Sequence, residues 1–157
     1  MDLQHHNSFQ PGGIIPQSIN QTSHRVCDSG TDPAKLGHCA WTKFRGRQNI
    51  SLRVVCAYRP CKSSSTGIQT VYSQHKRVFD SQGKTRDPRQ ALLNHLGNKI
   101  SRWKDEGDQI ILLIDCNSDI RNTEIQTYIY FLWSLQKQSQ AGTLLLQIHP
   151  HTKEEDP

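Results

Sequence analysis

The segment from Gln109 to Asn117, which reads Q-I-I-L-L-I-D-C-N, decides the fold. After the glutamine it is continuously apolar and rich in isoleucine, a composition typical of a central strand buried on both faces. The apolar run stops at Asp115, and the polar residues Ser118 and Asp119 follow soon after. The segment therefore predicts a central strand with polar side chains at its carboxyl end, where α/β sheets tend to bind ligands.

A second buried strand is predicted from Ser51 to Tyr58, which reads S-L-R-V-V-C-A-Y and is followed by Arg59-Pro60. A preceding strand from His38 to Arg45 is joined to it by the four polar residues 46–49, a length typical of a hairpin connection. The two segments therefore predict an antiparallel pair of strands that ends at Arg59-Pro60.

Three helices and one further strand are predicted around these two strands. The clearest helix has Asp87 as its N-cap and Pro88 as its first residue, and its apolar stripe runs to Trp103. The other predicted elements are a helix over residues 69–79, a helix over residues 124–136 and a strand over residues 143–148. Upstream, residues 14–19 favour a short edge strand, and residues 28–33 are typical of a turn.

These elements predict an α/β or α+β fold, with a mixed or largely antiparallel sheet and covering helices. One domain is expected over residues 12–148, with a mobile arm over residues 1–11 and a polar tail over residues 149–157. The hydrophobic fraction of 34% is lean for a chain of 157 residues. It indicates long polar loops, or a piece of a larger domain whose other half completes the core.

Charge and cysteine usage narrow the classes of partner and compartment. The net charge of +5 favours a polyanion such as nucleic acid, although it is also an ordinary solubility margin. The five cysteines form no C-x-x-C pair, so a reducing compartment is expected rather than a disulfide framework. No signal core and no membrane-length apolar run occur, which predicts an intracellular chain, cytoplasmic or nuclear, without membrane contact.

Two strand ends carry candidate chemistry. Asp115 and Asn117 offer oxygen ligands of the kind that Mg²⁺ or Mn²⁺ prefers, or they cap backbone groups in a polar turn. The Tyr58 hydroxyl and the Arg59 guanidinium can hold a phosphate, or they are a packed tyrosine beside an exposed arginine. The residues by themselves leave both pairs of interpretations open.

The order of these motifs resembles the endonuclease/exonuclease/phosphatase superfamily, and within it the endonuclease-like domains of retroelement-type reading frames. The resemblance runs from about Gly12 to Asn122, most of the chain, and the ordered set is moderately specific. The motifs are Gly12-Gly13, the W-T-K-F-R-G of Trp41–Gly46, the strand Ser51–Pro60, a helix like Val71–Phe79, the D-P-R start of Asp87–Trp103 and the G-D-Q-hydrophobic-D-x-N of Gly107–Asn117.

The resemblance implies divalent-metal-dependent hydrolysis of a phosphodiester in nucleic acid, with Mg²⁺ or Mn²⁺ as the cofactor. Asp115 would then orient or deprotonate the attacking water, while Asn117 would hydrogen-bond the scissile phosphate and Tyr58 would contact it near the metal. Arg59 would make an electrostatic contact to the substrate backbone. The implied fold is part of a four-layer α/β-sandwich, with two sheets face to face and helices outside.

Parts of the family's catalytic set have no counterpart in this sequence. The family's metal-binding Glu lies upstream of the Gly-Gly step, where this chain has only a polar arm, so the metal ligand is unassigned. The closing Asp and Ser-Asp-His are also missing, with His149 or His151 as candidate substitutes for the histidine. Because catalytic groups act as a unit, weak or no activity is expected from the truncated chain alone. Half a sandwich also exposes an apolar sheet face, which a partner chain or self-association would cover.

Three alternatives to an active nuclease stay open. The chain is a basic module that binds nucleic acid without cutting it, an inert fragment of a decayed mobile element, or a phosphatase or phosphodiesterase on a small substrate. Salt-dependent binding without cleavage would indicate the first alternative, and poor solubility with a molten near-ultraviolet spectrum would indicate the second. The basic charge balance favours nucleic acid over a small substrate.

Overall fold

A single mixed sheet of five strands, in the order β1-β2-β3-β4-β5, organises the computed structural model and confirms the predicted α+β class. The model describes residue 14 and residues 16–32, 36–63, 70–119, 121–138 and 143–149. The strands are β1 (Val26–Thr31), β2 (Cys39–Arg45), β3 (Ser51–Tyr58), β4 (Gln109–Asp115) and β5 (Leu144–His149). The helices are α1 (Val71–Ser81), α2 (Pro88–Asp105) and α3 (Thr123–Gln138), and a 3-10 helix spans Asn20–Arg25. The predicted arm over residues 1–11 and residues 150–157 of the predicted tail lie outside the described residues.

The direction of the strands changes at β3. The strands β1, β2 and β3 are antiparallel neighbours, whereas β3, β4 and β5 run parallel. The segment that contains α1 and α2 connects β3 to β4, and α3 connects β4 to β5. Both crossovers step the same way across the sheet, so right-handed connections put α2 and α3 on one face. The sheet therefore has one face packed against helices, which we call the helical face.

The hydrophobic core lies between the helical face and the apolar stripes of α2 and α3. Val55 and Leu112 of the sheet are fully buried there, as are Leu96 of α2 and Ile125 of α3. The opposite side of the sheet, which we call the open face, carries half-buried apolar residues. They are Phe44, Leu52, Val54, Cys56, Ile111 and Leu113.

Three predictions about the strands were wrong. The Gln109–Ile114 strand occupies the predicted central position, but only alternate residues of it are buried. Residues 28–33 were predicted to form a turn, yet residues 28–31 belong to β1. Gly30 lets the Trp41 ring approach closely, since a Cβ there would lie 2.7 Å from a ring carbon. Among the described residues of 14–19, none lies in a strand.

A buried arginine joins β2, β3 and α2 to the residue that precedes β4, at the amino ends of the parallel strands. The Arg53 guanidinium of β3 lies 4.3 Å from the ring centroid of Trp41 in β2 and 4.4 Å from that of Trp103 in α2. Arg53 also pairs through Nε and Nη2 with Asp108, at 2.8 Å each. Asp108 accepts further bonds from Lys43 at 2.8 Å and from the Ser51 hydroxyl. Burial alone would raise the pKa of Asp108, but these donors lower it overall.

We expect Asp108→Asn to destabilise the fold by about 3–5 kcal/mol, because it leaves the buried Arg53 without its counter-ion. Urea denaturation at pH 7 measures this loss. Glu106→Gln is the matched control, since Glu106 is 40% exposed and its nearest oxygen lies 3.9 Å from Arg53. We expect the control to cost less than about 1 kcal/mol. Equal losses in the two variants would contradict the role assigned to Asp108.

A pair of buried histidines connects α1 to the start of β2. His38 and His75 are 5% and 2% exposed, and their Nδ1 atoms lie 3.3 Å apart. The His75 Nε2 atom lies 3.3 Å from the Leu36 carbonyl, so it carries the proton and donates there. His38 must then donate from Nδ1 to His75, and both rings are neutral. Burial lowers the pKa of both histidines, and the pKa of His38 falls to about 4 despite the nearby Asp32.

This pair predicts acid lability. Between the folded pKa of His38, about 4, and its unfolded value of 6.5, the unfolded chain binds more protons than the folded chain. The stabilisation is therefore complete above about pH 6.5 and is lost as the pH falls toward 4. We expect wild type to lose about 2 kcal/mol more than His38→Gln between pH 7 and pH 5, measured by urea denaturation. His24→Gln, at an exposed position, should keep the wild-type pH dependence. If the free energy of unfolding fell by the same amount between pH 7 and pH 5 in all three proteins, this account would be refuted.

Candidate functional site

The carboxyl ends of the parallel strands bring three sequence-distant side chains side by side. Tyr58 of β3 is the register partner of Asp115 in β4, and Asp115 is the register partner of His149 in β5. The alternation along each strand places all three on the open face, as it does Leu113. We call this row, with the adjoining residues 59–60 and 116–118, the carboxyl rim.

The turn after β4 fixes Asp115 and Asn117 relative to each other. The Asn117 backbone has a φ of 43°, a left-handed conformation that asparagine tolerates better than most residues. Its N–H donates to Asp115 Oδ1 at 3.1 Å, and its side-chain amide donates to the Arg59 carbonyl at 2.8 Å. The two residues thus form an Asx-type turn that is tied to the end of β3. This geometry is compatible with both interpretations of the motif. Asp115 and Asn117 can cap backbone groups in a polar turn, and they can also offer oxygen ligands to a metal ion.

Tyr58 keeps its proton at neutral pH. Burial raises the pKa of its hydroxyl, and the nearby Cys61 and Asp115 raise this pKa further. A hydrogen bond with the Asn117 side chain lowers the pKa, but the net shift is upward. A protonated phenol that is half-buried at a strand end can donate to an anionic oxygen. The structure therefore brings together Tyr58, Asp115 and Asn117, the three residues predicted to act in catalysis.

The Arg59 side chain is buried beneath the surface of the rim. Its side chain is fully buried, Nη1 donates to Ser118 Oγ at 2.9 Å, and Nη2 pairs with Glu124 of α3. The expected contact to a substrate backbone would require this side chain to leave its partners. In this arrangement Arg59 instead fixes the position of the turn that carries Asn117.

A second buried arginine, which the sequence analysis missed, supports the same turn. Arg89 of α2 is 7% exposed and donates to the Pro60 carbonyl at 2.6 Å, to the Asn117 carbonyl at 3.3 Å and to Ser118 Oγ. The D-P-R helix start was visible in the sequence, but nothing local marks its arginine as buried. Two guanidinium groups and the Glu124 carboxylate therefore lie under the rim, and the exposed Asp87 carboxylate at the start of α2 is a further negative neighbour of Arg89.

The amino ends of α2 and α3 add to this positive potential. Arg89 and Glu124 are each the second residue of their helix, and both lie at the rim. The positive ends of both helix dipoles therefore face the carboxyl ends of β3 and β4. A site with this electrostatic character favours an anion such as a phosphate group.

The donor set of the rim does not fit a resident divalent metal. Within the described ranges, no group of three or more His, Cys, Asp and Glu side chains is placed to hold a metal ion. At the rim only Asp115 offers a carboxylate on the open face, and Mg²⁺ prefers several oxygen ligands. A magnesium site at this position therefore needs ligands from outside the described residues.

Two concave regions differ in their chemistry. A hollow of about 280 Å³ at the rim is bordered by Leu113, Asp115, Gln147 and His149, among others. A larger groove of about 630 Å³ between α2 and α3 is lined by apolar and neutral polar groups and by Glu124. Glu124 already pairs with Arg59, and burial raises the pKa of Tyr128, the other titratable residue of the groove, so its phenol stays protonated. The smaller hollow is therefore the better candidate for chemistry.

Comparison of the chain with protein-family models, with curated proteins and with solved structures gave no match. The resemblance carried by the sequence motifs therefore stays a prediction. Among the described helices, none combines the length and the apolar content that a membrane span requires.

We expect Arg89→Gln to destabilise the chain by about 2–4 kcal/mol, because the Pro60 and Asn117 carbonyls lose a charged donor in a buried place. Arg86→Gln removes the same charge from an exposed position three residues away, and it should cost less than about 0.5 kcal/mol. Urea denaturation measures both values. If both variants lost less than about 0.5 kcal/mol of stability, Arg89 would not hold the turn.

Proposed function

We propose that this chain carries the phosphate-binding part of a divalent-metal-dependent phosphodiesterase that acts on nucleic acid, and that it cleaves weakly or not at all by itself. The observation that carries the proposal is the convergence of Tyr58, Asp115 and Asn117 over a buried positive layer. The motif resemblance supports the same reaction. The net charge of +5 supports a polyanionic substrate.

The rim residues have separate tasks in this proposal. The Tyr58 hydroxyl donates a hydrogen bond to a non-bridging phosphate oxygen, since its raised pKa keeps it protonated. Asp115 accepts a proton from the attacking water or orients it. Asn117 holds Asp115 through its backbone N–H and contacts the phosphate, with the turn anchored by Arg59 and Arg89. The helix dipoles of α2 and α3 offset the charge that builds on the phosphate.

The described residues of the rim offer too few metal ligands by themselves, and a second layer of protein packed on the open face could supply them. Tyr58, Asp115 and His149 all project from that face, which also carries half-buried apolar residues. A partner chain or a further segment packed there would cover the apolar surface and place its own side chains beside Asp115. We propose that the Mg²⁺ or Mn²⁺ ligands come from this layer, and that the isolated chain lacks full activity for that reason.

Binding without cleavage is the second candidate function, and the incomplete donor set favours it. The positive layer and the hydroxyl and amide donors of the rim can hold a phosphodiester without activating water. In that case the affinity would fall steeply with salt, because binding releases counterions from the nucleic acid.

A reducing compartment is part of the proposal. All five cysteines are free, and Cys27 and Cys61 are exposed. Cys39 and Cys116 are buried, where burial raises the pKa of each thiol and makes it less reactive. Exposed thiols that form no disulfide suit the cytoplasm or the nucleus better than an oxidising space.

We predict that Asp115→Asn abolishes any metal-dependent nicking of supercoiled plasmid by the purified chain. The assay compares Mg²⁺, Mn²⁺ and EDTA. Asp119→Asn is the matched control, because this exposed carboxylate four residues away pairs with Arg121 rather than with the rim. It should leave the nicking rate within about twofold of wild type, whereas Asp115→Asn should lower it by at least about 100-fold.

Filter binding of a short single-stranded oligonucleotide at several salt concentrations separates the two functions. Salt-sensitive binding without nicking indicates the binding function, and Tyr58→Phe should then weaken it. Nicking that is unchanged in Asp115→Asn would contradict the catalytic proposal. Absence of both nicking and salt-sensitive binding would contradict both functions.

A further inference from the structure

The two outer strands of the sheet differ in how their free edges are protected. The strand β1 contains Asp28 and Gly30, and its register with β2 is irregular between Val26 and Asp28. A charge and a bulge are devices that stop an edge strand from pairing with another chain. The strand β5 reads L-L-L-Q-I-H, without Lys, Arg, Asp, Glu or Pro, and its register with β4 is uninterrupted. Among the described residues, these two devices occur at the β1 edge and not at the β5 edge.

The hydrogen bonds of β5 show which of its backbone groups face outward. The Thr143 carbonyl accepts from the Ile110 N–H at 2.8 Å, and the His149 carbonyl accepts from the Cys116 N–H at 3.3 Å. Backbone direction alternates along a strand, so every second residue from 143 to 149 turns toward β4. Leu144, Leu146 and Ile148 therefore turn their N–H and C=O groups outward, and the Leu144 N–H donates to Gln136 Oε1 of α3 at 2.7 Å. Within the described part of the chain, no strand pairs with that edge.

We propose that the outer edge of β5 pairs with the β5 of a second copy of this chain, antiparallel and about a twofold axis at Leu146. Leu146 then lies opposite its own copy, and Leu144 lies opposite Ile148. The Leu144 N–H keeps its bond to Gln136, so Leu146 donates and accepts one backbone bond in each copy, while Ile148 donates one and Leu144 accepts one. The ladder thus closes with about four hydrogen bonds between the copies.

A second copy suits this edge better than an unrelated strand, for reasons of charge and symmetry. Two chains of charge +5 repel each other, so a contact between copies is favoured where it carries no charged residue. An antiparallel pair about a twofold axis is self-complementary for any strand. Leu145, which is 62% exposed on the open face, gains cover beside Gln147 of the second copy.

The asymmetry of the two edges also limits the size of the assembly. Once two β5 strands are paired, the outer strand at both ends of the joined sheet is β1, whose edge is protected by Asp28 and the register irregularity. Further strand addition is therefore blocked at both ends. The proposal gives a closed dimer with a ten-stranded sheet, twice the five strands of one copy, rather than a fibre.

Sedimentation equilibrium of the full chain tests the proposal, with a monomer mass of 17.9 kDa as the reference. The double variant Leu145→Lys, Gln147→Lys sets lysines opposite each other across the twofold axis, and like charges in opposite positions destabilise a strand pair. It should raise the dimer dissociation constant at least about tenfold. The matched control Val26→Lys, Ser29→Lys adds the same charge to exposed open-face positions of β1 and should stay within about twofold.

Amide hydrogen exchange of the wild-type chain provides a readout that needs no variant. The N–H groups of Leu146 and Ile148 should gain protection as the protein concentration rises. Those of Leu145 and Gln147 bond toward β4 and should be protected at every concentration.

Three results would overturn the proposal. One is a monomer at all concentrations with fast exchange at Leu146 and Ile148. Another is a dimer that the β5 variant leaves intact, which would place the contact on a different surface. The third is slow exchange at these two amides in a monomer, which would mean that another segment of the same chain covers the edge.

Discussion

The packing of Arg53 against the rings of Trp41 and Trp103, with Asp108 as its counter-ion, is the contact on which the arrangement of sheet and helices depends. Burying a guanidinium is costly unless its charge is paired, so the position of its counter-ion is tightly constrained. Trp103 lies near the end of α2, and Asp108 directly precedes β4. The contact therefore fixes one end of α2 against β3 and the start of β4.

The other end of α2 is fixed by a second buried arginine. Arg89 donates to carbonyls of Pro60 and Asn117, which follow β3 and β4 respectively. The helix is thus held at both ends against the same two strands, by Trp103 beside Arg53 and by Arg89. This places Tyr58 and Asp115 as neighbours with little freedom to shift. Arg89 therefore both supports the fold and places a positive charge beneath the candidate site. Arg59 adds a second positive charge there.

Most elements were predictable from the sequence because their signals are local. The apolar run of β4 and the Asp87-Pro88 start of α2 indicate their structure without any tertiary contact. The strand β1 was missed because Asp28 and Gly30 are typical of turns, and only pairing with β2 makes them a strand. Bounds differ from the predicted ones by a residue or two at most helix ends, as expected from local fraying.

The residues of the rim were predictable, but their support was not. Tyr58, Asp115 and Asn117 end predicted strands, and the parallel register brings them together. The burial of Arg59 depends on Glu124, which lies 65 residues away and has no marker in the sequence. The His38–His75 pair likewise depends on a contact between β2 and α1. Long-range pairing of charged and polar side chains is the part of the structure that pattern reasoning does not reach.

The central claim is that a phosphodiester binds at the carboxyl rim. Two-dimensional ¹H–¹⁵N spectra of the chain, titrated with a short single-stranded oligonucleotide at low salt, test it most directly. The account predicts concerted shift changes at Tyr58, Asp115 and Asn117 that disappear as salt is raised. Changes confined to the basic hairpin at residues 45–47 or to α1, with an unperturbed rim, would contradict it.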